Sequence, residues 1–586
     1  MTIGKATDLR LDRPLSTVLF DWARITPDVT AIFLPQEGHV TQKTWRQVAD
    51  DVLRMIVRLD QLGVGPQDRV VLWSDNRYEW IVIDLAIQSI GAIHVPLHGS
   101  LPAPAAAAQV EHAEPKLVVA ANAAMADGLR RQPAAAHALA GQAIELIDAA
   151  GGAAGLLDRI ASLSVDEGAK IVERHAPSFD PHAIVTILYS SGTSGEPKAV
   201  ALTHSNLITN AYSTINVLRE TPLERRLNFL PLSHIYARTC DLYTWLAGGS
   251  QLALARSRET IFEDCRLTQP TLLNSVPFFY QRLQQKVADS EATEAPLTIQ
   301  ELLGGDIHVC MCGGAALPVD TFDFFNSRGV TLLPGYGLTE SSPVISFTTP
   351  ETLRRGTVGK PIPGIEVRIA DDGEVLTRGP HVMREYWKDA KLTRETVRDG
   401  WLHTGDLGSL DADGYLSITG RKKELIVLST GKKAVPTHVE GLLLRESLVL
   451  QAMVVGNDQC YLSALVTPNA ELLSTWLAAE GLPALSRAEA VKHPAVLSMF
   501  AERIRRQLAA LPPYERVKRF CLLDHVFTQE AGELTPKLSL RRDAIQRTFH
   551  QEIALLYAGG GESVEYDDIP APAPAHNSEN EPCVRP

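Results

Sequence analysis

The chain has 586 residues, too many for one hydrophobic core, so two or more domains are expected. Its 45% hydrophobic and 21% charged content is that of a folded globular chain, and the formal charge of −13 gives no electrostatic case for nucleic-acid binding. No run of apolar residues reaches membrane-spanning length, and the N-terminal stretch lacks the apolar core of a secretory signal, so no membrane span and a cytoplasmic location are expected.

Residues 70–73 read as a strand, 79–90 as a helix and 92–96 as a second strand, the alternation of a parallel α/β sheet. The alanine run at 105–108 reads as part of a helix and 117–119 as a strand. Residues 183–188 form an apolar, β-branched run that feeds a glycine-rich loop, and the alternation continues to about residue 350. Within it, Cys310 and Cys312 sit in a buried-strand pattern. No second Cys/His pair has metal-ligand spacing, so the seven cysteines read as thiols in a reducing compartment. From about residue 364, short apolar segments alternate with Asp-Gly turns at 371–373 and 411–414, which predicts hairpins. The expected fold is α/β, with a large N-terminal domain (1–420) of parallel α/β sheets plus a small β-barrel-like part. A small α/β C-terminal domain (421–557) and a disordered Gly- and Pro-rich tail (558–586) follow.

The loop after the strand at 183–188 reads YSSGTSGEPKAV over residues 189–200. Ser190, Ser191, Gly192, Thr193, Ser194, Gly195 and Lys198 have the makings of a phosphate cradle. Glycines let the backbone approach the anion, hydroxyls and N–H groups donate, and the lysine adds a point charge. The spacing is not that of a Walker A loop. Five more segments follow: FLPLSHIYAR at 229–238, MCGGAALP at 311–318, GYGLTESSP at 335–343, GWLHTGDLG at 400–408 and DGYLSITGRKKELIVLSTGKKAVP at 413–436.

In this order the six segments resemble the adenylate-forming superfamily of acyl-CoA synthetases, luciferases and peptide-synthetase adenylation domains, over about residues 20–550. FLPLSH, GRKKELIV followed by GKKAVP, and YERVKRFCLLDHVFTQEAGELTP at 514–536 resemble long-chain and bubblegum-type acyl-CoA synthetases. The resemblance implies two half-reactions. A carboxylic acid and ATP give an acyl-adenylate and pyrophosphate; the acyl group then passes to the thiol of coenzyme A and AMP leaves. It implies a C-terminal domain that is mobile and rotates between the two.

Site residues follow from the same resemblance. The loop from Ser190 to Lys198 would close over the ATP phosphates, Thr339 would donate to the α-phosphate, and Glu340 would hold Mg²⁺ as a hard oxygen ligand. A plainer reading makes Thr339 and Glu340 a helix cap with a first-turn carboxylate. Gly313, Gly314, Ala315, Ala316, Gly335, Tyr336 and Gly337 would line the adenine, with Tyr336 stacking on the base; its alternative is a core tyrosine. Asp406 would accept from the ribose hydroxyls and Arg421 would donate to the same sugar; alone, Asp406 reads as a turn aspartate. Lys423 matches the hinge, or is a solvated lysine. Gly431 matches the loop lining the pantetheine tunnel of coenzyme A, or is a turn glycine. His234 stands near the acyl pocket, or is a core histidine. Tyr236, Tyr243 and Trp245 are further pocket candidates, or packing.

One departure dominates. The family pattern E-L-T-P-T-x-K ends in a lysine that holds the carboxylate and α-phosphate during adenylation; the corresponding position here is Ser539, in Glu533-Leu534-Thr535-Pro536-Lys537-Leu538-Ser539. Losing one preorganised donor of this kind costs about 10²–10³ in rate. Thioester formation does not use that lysine. The pattern therefore resembles the non-adenylating, thioester-forming member of paired ligases in bacterial terpenoid natural-product pathways, supplied with acyl-AMP by a separate adenylating enzyme. A second reading has Lys537 in the adenylating role. In an extended segment its side chain would face the same way as that of Ser539, about 6.5–7 Å away. A third is a nucleotide-binding protein without turnover. Ala199, where the family has glycine, is a minor departure.

Overall fold

A computed structural model describes residues 11–139, 144–149, 154–190, 197–290, 296–528, 530–534, 540–559 and 561–564. The chain folds as two units. The larger takes residues up to Thr404 together with Ser409–Ser417; the smaller takes Gly405–Gly408 together with Ile418 onward.

Two sheets dominate the larger unit. The strands expected at 70–73, 92–96 and 117–119 form as Arg69–Ser74, Ile93–His98 and Leu117–Ala120, all parallel, with Leu72 opposite Pro96 and Val119. Ile184–Ser190 joins Ile93–His98 in parallel at His94 and Thr186. It then pairs antiparallel with Lys198–Thr203, which itself carries the short strand Glu385–Tyr386 on its far side. The helix Tyr78–Ser89 is buried over all but Glu79, because both of its faces are apolar. The second sheet has nine strands. Its centre is parallel: Gln251–Leu254, Arg225–Asn228, Leu272–Ser275, Val309–Cys312 and Thr331–Gly337 lie side by side in that order. Its margins are antiparallel, and one of them is a hairpin, Thr30–Gln36 with His39–Thr44, which the sequence reading did not anticipate. Beyond these sheets the Asp-Gly turn at 371–373 joins the antiparallel pair Glu366–Ile369 and Glu374–Arg378. Asp411 accepts from the backbone N–H groups of Asp413 and Tyr415 and so closes the second predicted turn.

The smaller unit has its own core around the strands Val449–Val455, Leu462–Pro468 and Val517–Leu522, packed by the helices Pro436–Leu443 and Pro494–Leu508. Its last strand, Glu562–Ser563, pairs with Arg519 and Phe520, and Val564 is buried in the core. Residues 561–564 are therefore ordered, where a disordered tail from 558 was expected. An apolar valine reaching an open sheet edge overrides the polar composition around it. The rest of that expected tail lies outside the described residues.

Cys240, Cys265, Cys310, Cys312 and Cys521 are free thiols and the first four are buried, as a thiol reading requires. No helix of the described residues is long and apolar enough to cross a membrane.

Candidate active site

Parallel strands deliver their successors to one edge of a sheet, and ligands of such sheets bind outside the carboxyl ends of the strands. In the nine-stranded sheet, the segments that leave those ends are the ones singled out in the sequence. Residues 229–238 follow Arg225–Asn228, Gly313 to Ala316 follow Val309–Cys312, and Thr339 and Glu340 follow Thr331–Gly337. Gly313 donates its N–H to the Ser275 carbonyl at 3.2 Å. A Cβ on it would stand 3.1 Å from the Tyr236 ring, whose hydroxyl donates to the same carbonyl. Gly314, Ala315 and Ala316 are exposed. Gly335, Tyr336 and Gly337 are half-buried at the end of their strand, so Tyr336 is not a core tyrosine. Gly337 cannot carry a side chain: a Cβ would lie 1.9 Å from the Pro343 carbonyl oxygen.

Thr339 and Glu340 occupy a single 3₁₀ turn, Thr339–Ser341, whose start is closed by the Ser341 hydroxyl on the Leu338 N–H. Neither side chain serves as the cap. Glu340 instead accepts a hydrogen bond at Oε1 from the Tyr386 hydroxyl at 2.7 Å, and its carbonyl accepts from the Met383 N–H at 2.8 Å. Burial, and then the Glu340 charge, push the Tyr386 phenol far above its ordinary value, so it stays a donor.

Tyr386 is the residue the sequence reading missed. It lies more than forty positions from Glu340 in sequence and meets it only through a two-residue strand. Lys198 rests its ammonium 5.0 Å over the Tyr386 ring, and Ser190 donates to the Lys198 carbonyl at 3.4 Å. One tyrosine thus joins both described ends of the glycine-rich loop to Glu340. Ser191, Gly192, Thr193, Ser194 and Gly195 lie outside the described residues. Ala199 is buried, and its methyl packs in the core of the loop-bearing sheet.

His234 is half-buried with its ring 5.7 Å from that of His98. Tyr243 and Trp245 are fully buried packing groups. Trp245 stacks on Trp45 at 4.8 Å, and Tyr243 bonds Gln88 and Asp84.

In the smaller unit Asp406 is buried within the strand Trp401–Leu410, not in a turn, and Arg421 Nε stands 3.0 Å from its Oδ1. Lys423 is exposed in the turn Lys422–Glu424. Gly431 adopts φ +78° with nothing within 4 Å of a Cβ, so the backbone conformation is what requires glycine there. Ser539 and Lys537 lie outside the described residues, but both flanks are held. Glu533 is buried and bonds His525 and the Thr528 N–H, and Leu534 pairs with Leu540 in an isolated antiparallel bridge. Arg541 donates its N–H to the Glu533 carbonyl at 2.7 Å, and Arg542 forms a bidentate pair with Glu440.

Among the described residues no group of three or more His, Cys, Asp or Glu gathers that could hold a metal by itself. A lone hard carboxylate suits Mg²⁺, which keeps most of its waters and takes its other ligands from phosphate.

The family described as AMP-binding enzyme matches residues 19–387, and the AMP-binding enzyme C-terminal domain matches residues 423–560. The chain is 31% identical to long-chain-fatty-acid–CoA ligase FadD15 of Mycobacterium bovis, over 93% of this chain and 97% of that one. It is 28% identical to the peroxisomal long chain acyl-CoA synthetase 6 of Arabidopsis thaliana, over 86% and 79%. Its fold is similar to ATP-bound MatB from Rhodopseudomonas palustris, with a TM-score of 0.74 at 22% identity over 92% and 98% of the two chains. A second similar structure is the anthranilate CoA ligase AuaEII with anthranoyl-AMP, with a TM-score of 0.73 at 20% identity over 94% and 100%.

Proposed function

This chain belongs to the AMP-binding enzyme family as an acyl-CoA ligase, and from that premise we propose that its efficient reaction is the second half of the ligase sequence, thiolysis of an acyl-adenylate by coenzyme A. The family uses ATP or AMP, an acyl-adenylate and coenzyme A. The observation that carries the proposal is the neutral Ser539 in a segment whose flanks are pinned: Glu533 and Leu534 on one side, Leu540 to Arg542 on the other. Fixed flanks oppose a shift of register that would bring another residue to that position.

In this reading the glycine-rich loop and Lys198 hold phosphate. Thr339 donates to the α-phosphate, and Glu340 holds Mg²⁺, which would neutralise developing phosphate charge when bound. Gly313 to Ala316 and Tyr336 line the adenine. Asp406 accepts from the ribose, with Arg421 fixing that carboxylate. His234 borders the acyl group. Lys423 is the hinge of a mobile C-terminal domain, and Gly431 lies beside the pantetheine arm. The acyl-AMP comes from a separate adenylating enzyme.

The relatives' names favour a second reading, a complete ATP-dependent long-chain fatty acyl-CoA synthetase with Lys537 as the adenylating cation. Two mixtures separate the readings: acid, ATP, Mg²⁺ and coenzyme A in one, preformed acyl-AMP and coenzyme A in the other. Efficient acyl-CoA in the second alone is expected; equal efficiency in both assigns the chain to the complete synthetases.

A further inference from the structure

The segment from Met383 to Trp387 is tied to two neighbours. Towards Glu340 it gives the Met383 N–H to the carbonyl at 2.8 Å and the Tyr386 hydroxyl to Oε1 at 2.7 Å. Towards the strand leaving the glycine-rich loop it pairs Tyr386 with Val200 and gives the Trp387 N–H to the Ala199 carbonyl at 2.7 Å. Tyr386 is 3% exposed, and its own N–H donates to Thr393. The pairing fixes the backbone at Tyr386, and burial of the ring holds its hydroxyl against Glu340.

We infer that Tyr386 is a positioning residue for Glu340, pinning one carboxylate oxygen so that the other would be left to hold a nucleotide-associated Mg²⁺. This rests on the reading of Glu340 as the metal-binding carboxylate. A carboxylate with one oxygen occupied by a phenol favours monodentate coordination. Mg²⁺ demands near-ideal octahedral geometry and suits such a ligand; Ca²⁺ accepts bidentate carboxylates in looser, larger shells. Hydrogen bonds to a metal-binding carboxylate are worth 10–100-fold in metal affinity. The Lys198 ammonium 5.0 Å over the same ring is a further contact that holds the tyrosine in place.

The test is a calorimetric titration of the full chain with α,β-methylene-ATP, a probe that cannot be turned over, at graded Mg²⁺ or Ca²⁺. Because nothing is adenylated, a slow first half-reaction does not affect the readout. The untouched protein is expected to prefer Mg²⁺ to Ca²⁺. Tyr386→Phe should weaken the Mg²⁺ requirement by about 10–100-fold, narrow that preference, and leave metal-free AMP affinity unchanged. In a Glu340→Gln background the same change should add nothing. Identical Mg²⁺ curves for the untouched protein and Tyr386→Phe overturn the role of Tyr386 and leave the Glu340 reading standing. Nucleotide binding that ignores both Mg²⁺ and Glu340→Gln overturns the two together. Should Tyr386→Phe fail to fold, equal support by Mg²⁺ and Ca²⁺ in the untouched protein still overturns the inference.

Discussion

At position 539 a hydroxymethyl group stands where the family pattern has an ammonium, and the proposed separation of the two half-reactions rests on that single exchange. Ser539→Lys should raise ATP-dependent pyrophosphate release, by up to about 10²–10³ if the missing donor is the whole deficit. No gain in a correctly folded variant would remove the electrostatic basis of the proposal. Two glycines show why residue type alone does not reveal its reason. Gly337 is fixed by the Pro343 carbonyl 1.9 Å from any added Cβ, a backbone atom that cannot swing aside, so Gly337→Ala should cost about 1–3 kcal/mol in urea unfolding. Gly431 has open space and a left-handed backbone, so Gly431→Ala should cost only about 1–2 kcal/mol of strain. If Gly431 also lines the path of coenzyme A, that variant will raise KM for coenzyme A. An unchanged KM would leave it a turn glycine.

At the scale of one element, the helical stretch after His234 acts as a clamp. Residues 238–243 form a π turn between the α-helical pieces Ile235–Ala237 and Thr244–Gly248. The wider turn spreads Arg238 and Asp241 further around the axis than an α-helix would. Arg238 pairs with the buried Asp84 of helix Tyr78–Ser89 and donates to Thr186 at 2.7 Å, in the sheet that carries the glycine-rich loop. Asp241 accepts from Asn228 at 2.8 Å and Asn274 at 2.5 Å, in the sheet that carries Gly313 and Tyr336. A buried pair broken on one side leaves an uncompensated charge, so Arg238→Met should destabilise the larger unit by about 3–5 kcal/mol. A loss below 1 kcal/mol in the denaturant midpoint would show that the pair does not hold the sheets. The motif FLPLSHIYAR was legible as a functional segment. That its arginine is buried structure was not, because its partners come from segments up to 154 positions away.

Across the whole molecule, acid is the expected weakness. His94 in a strand, His204 in a helix and His381 in a turn are buried, and burial holds each at about 4 against an ordinary 6.5; for His94 the Arg238 charge adds to it. The unfolded chain therefore binds more protons between pH 6.5 and 4. Stability is complete above pH 6.5 and falls as pH drops towards 4. Burial alone would raise Asp84, but Arg238 and His94 outweigh it and hold it at about 2, so its contribution disappears only below 3.8. Urea midpoints measured from pH 7 to 4.5 should fall, with a net proton uptake on unfolding that Asp241, raised by burial to about 6, offsets in part. A flat midpoint over that range would contradict the burial of these rings.

The sequence by itself determined many of the elements, though not the hairpin Thr30–Gln36 with His39–Thr44, and the order of the motifs. Apolar runs bounded by glycine, proline and Asp-Gly turns fix strands such as Arg69–Ser74 and the 371–373 hairpin through interactions a few residues long. It also exposed the serine at 539, because a missing charge is visible against a linear pattern. Only the tertiary structure decided that Tyr386 touches Glu340, that Arg421 meets Asp406, and that Val564 closes a sheet edge. Each of these is a contact between segments distant in sequence. Local propensity carries no information about such pairs; they exist because sheet pairing and burial bring the segments together.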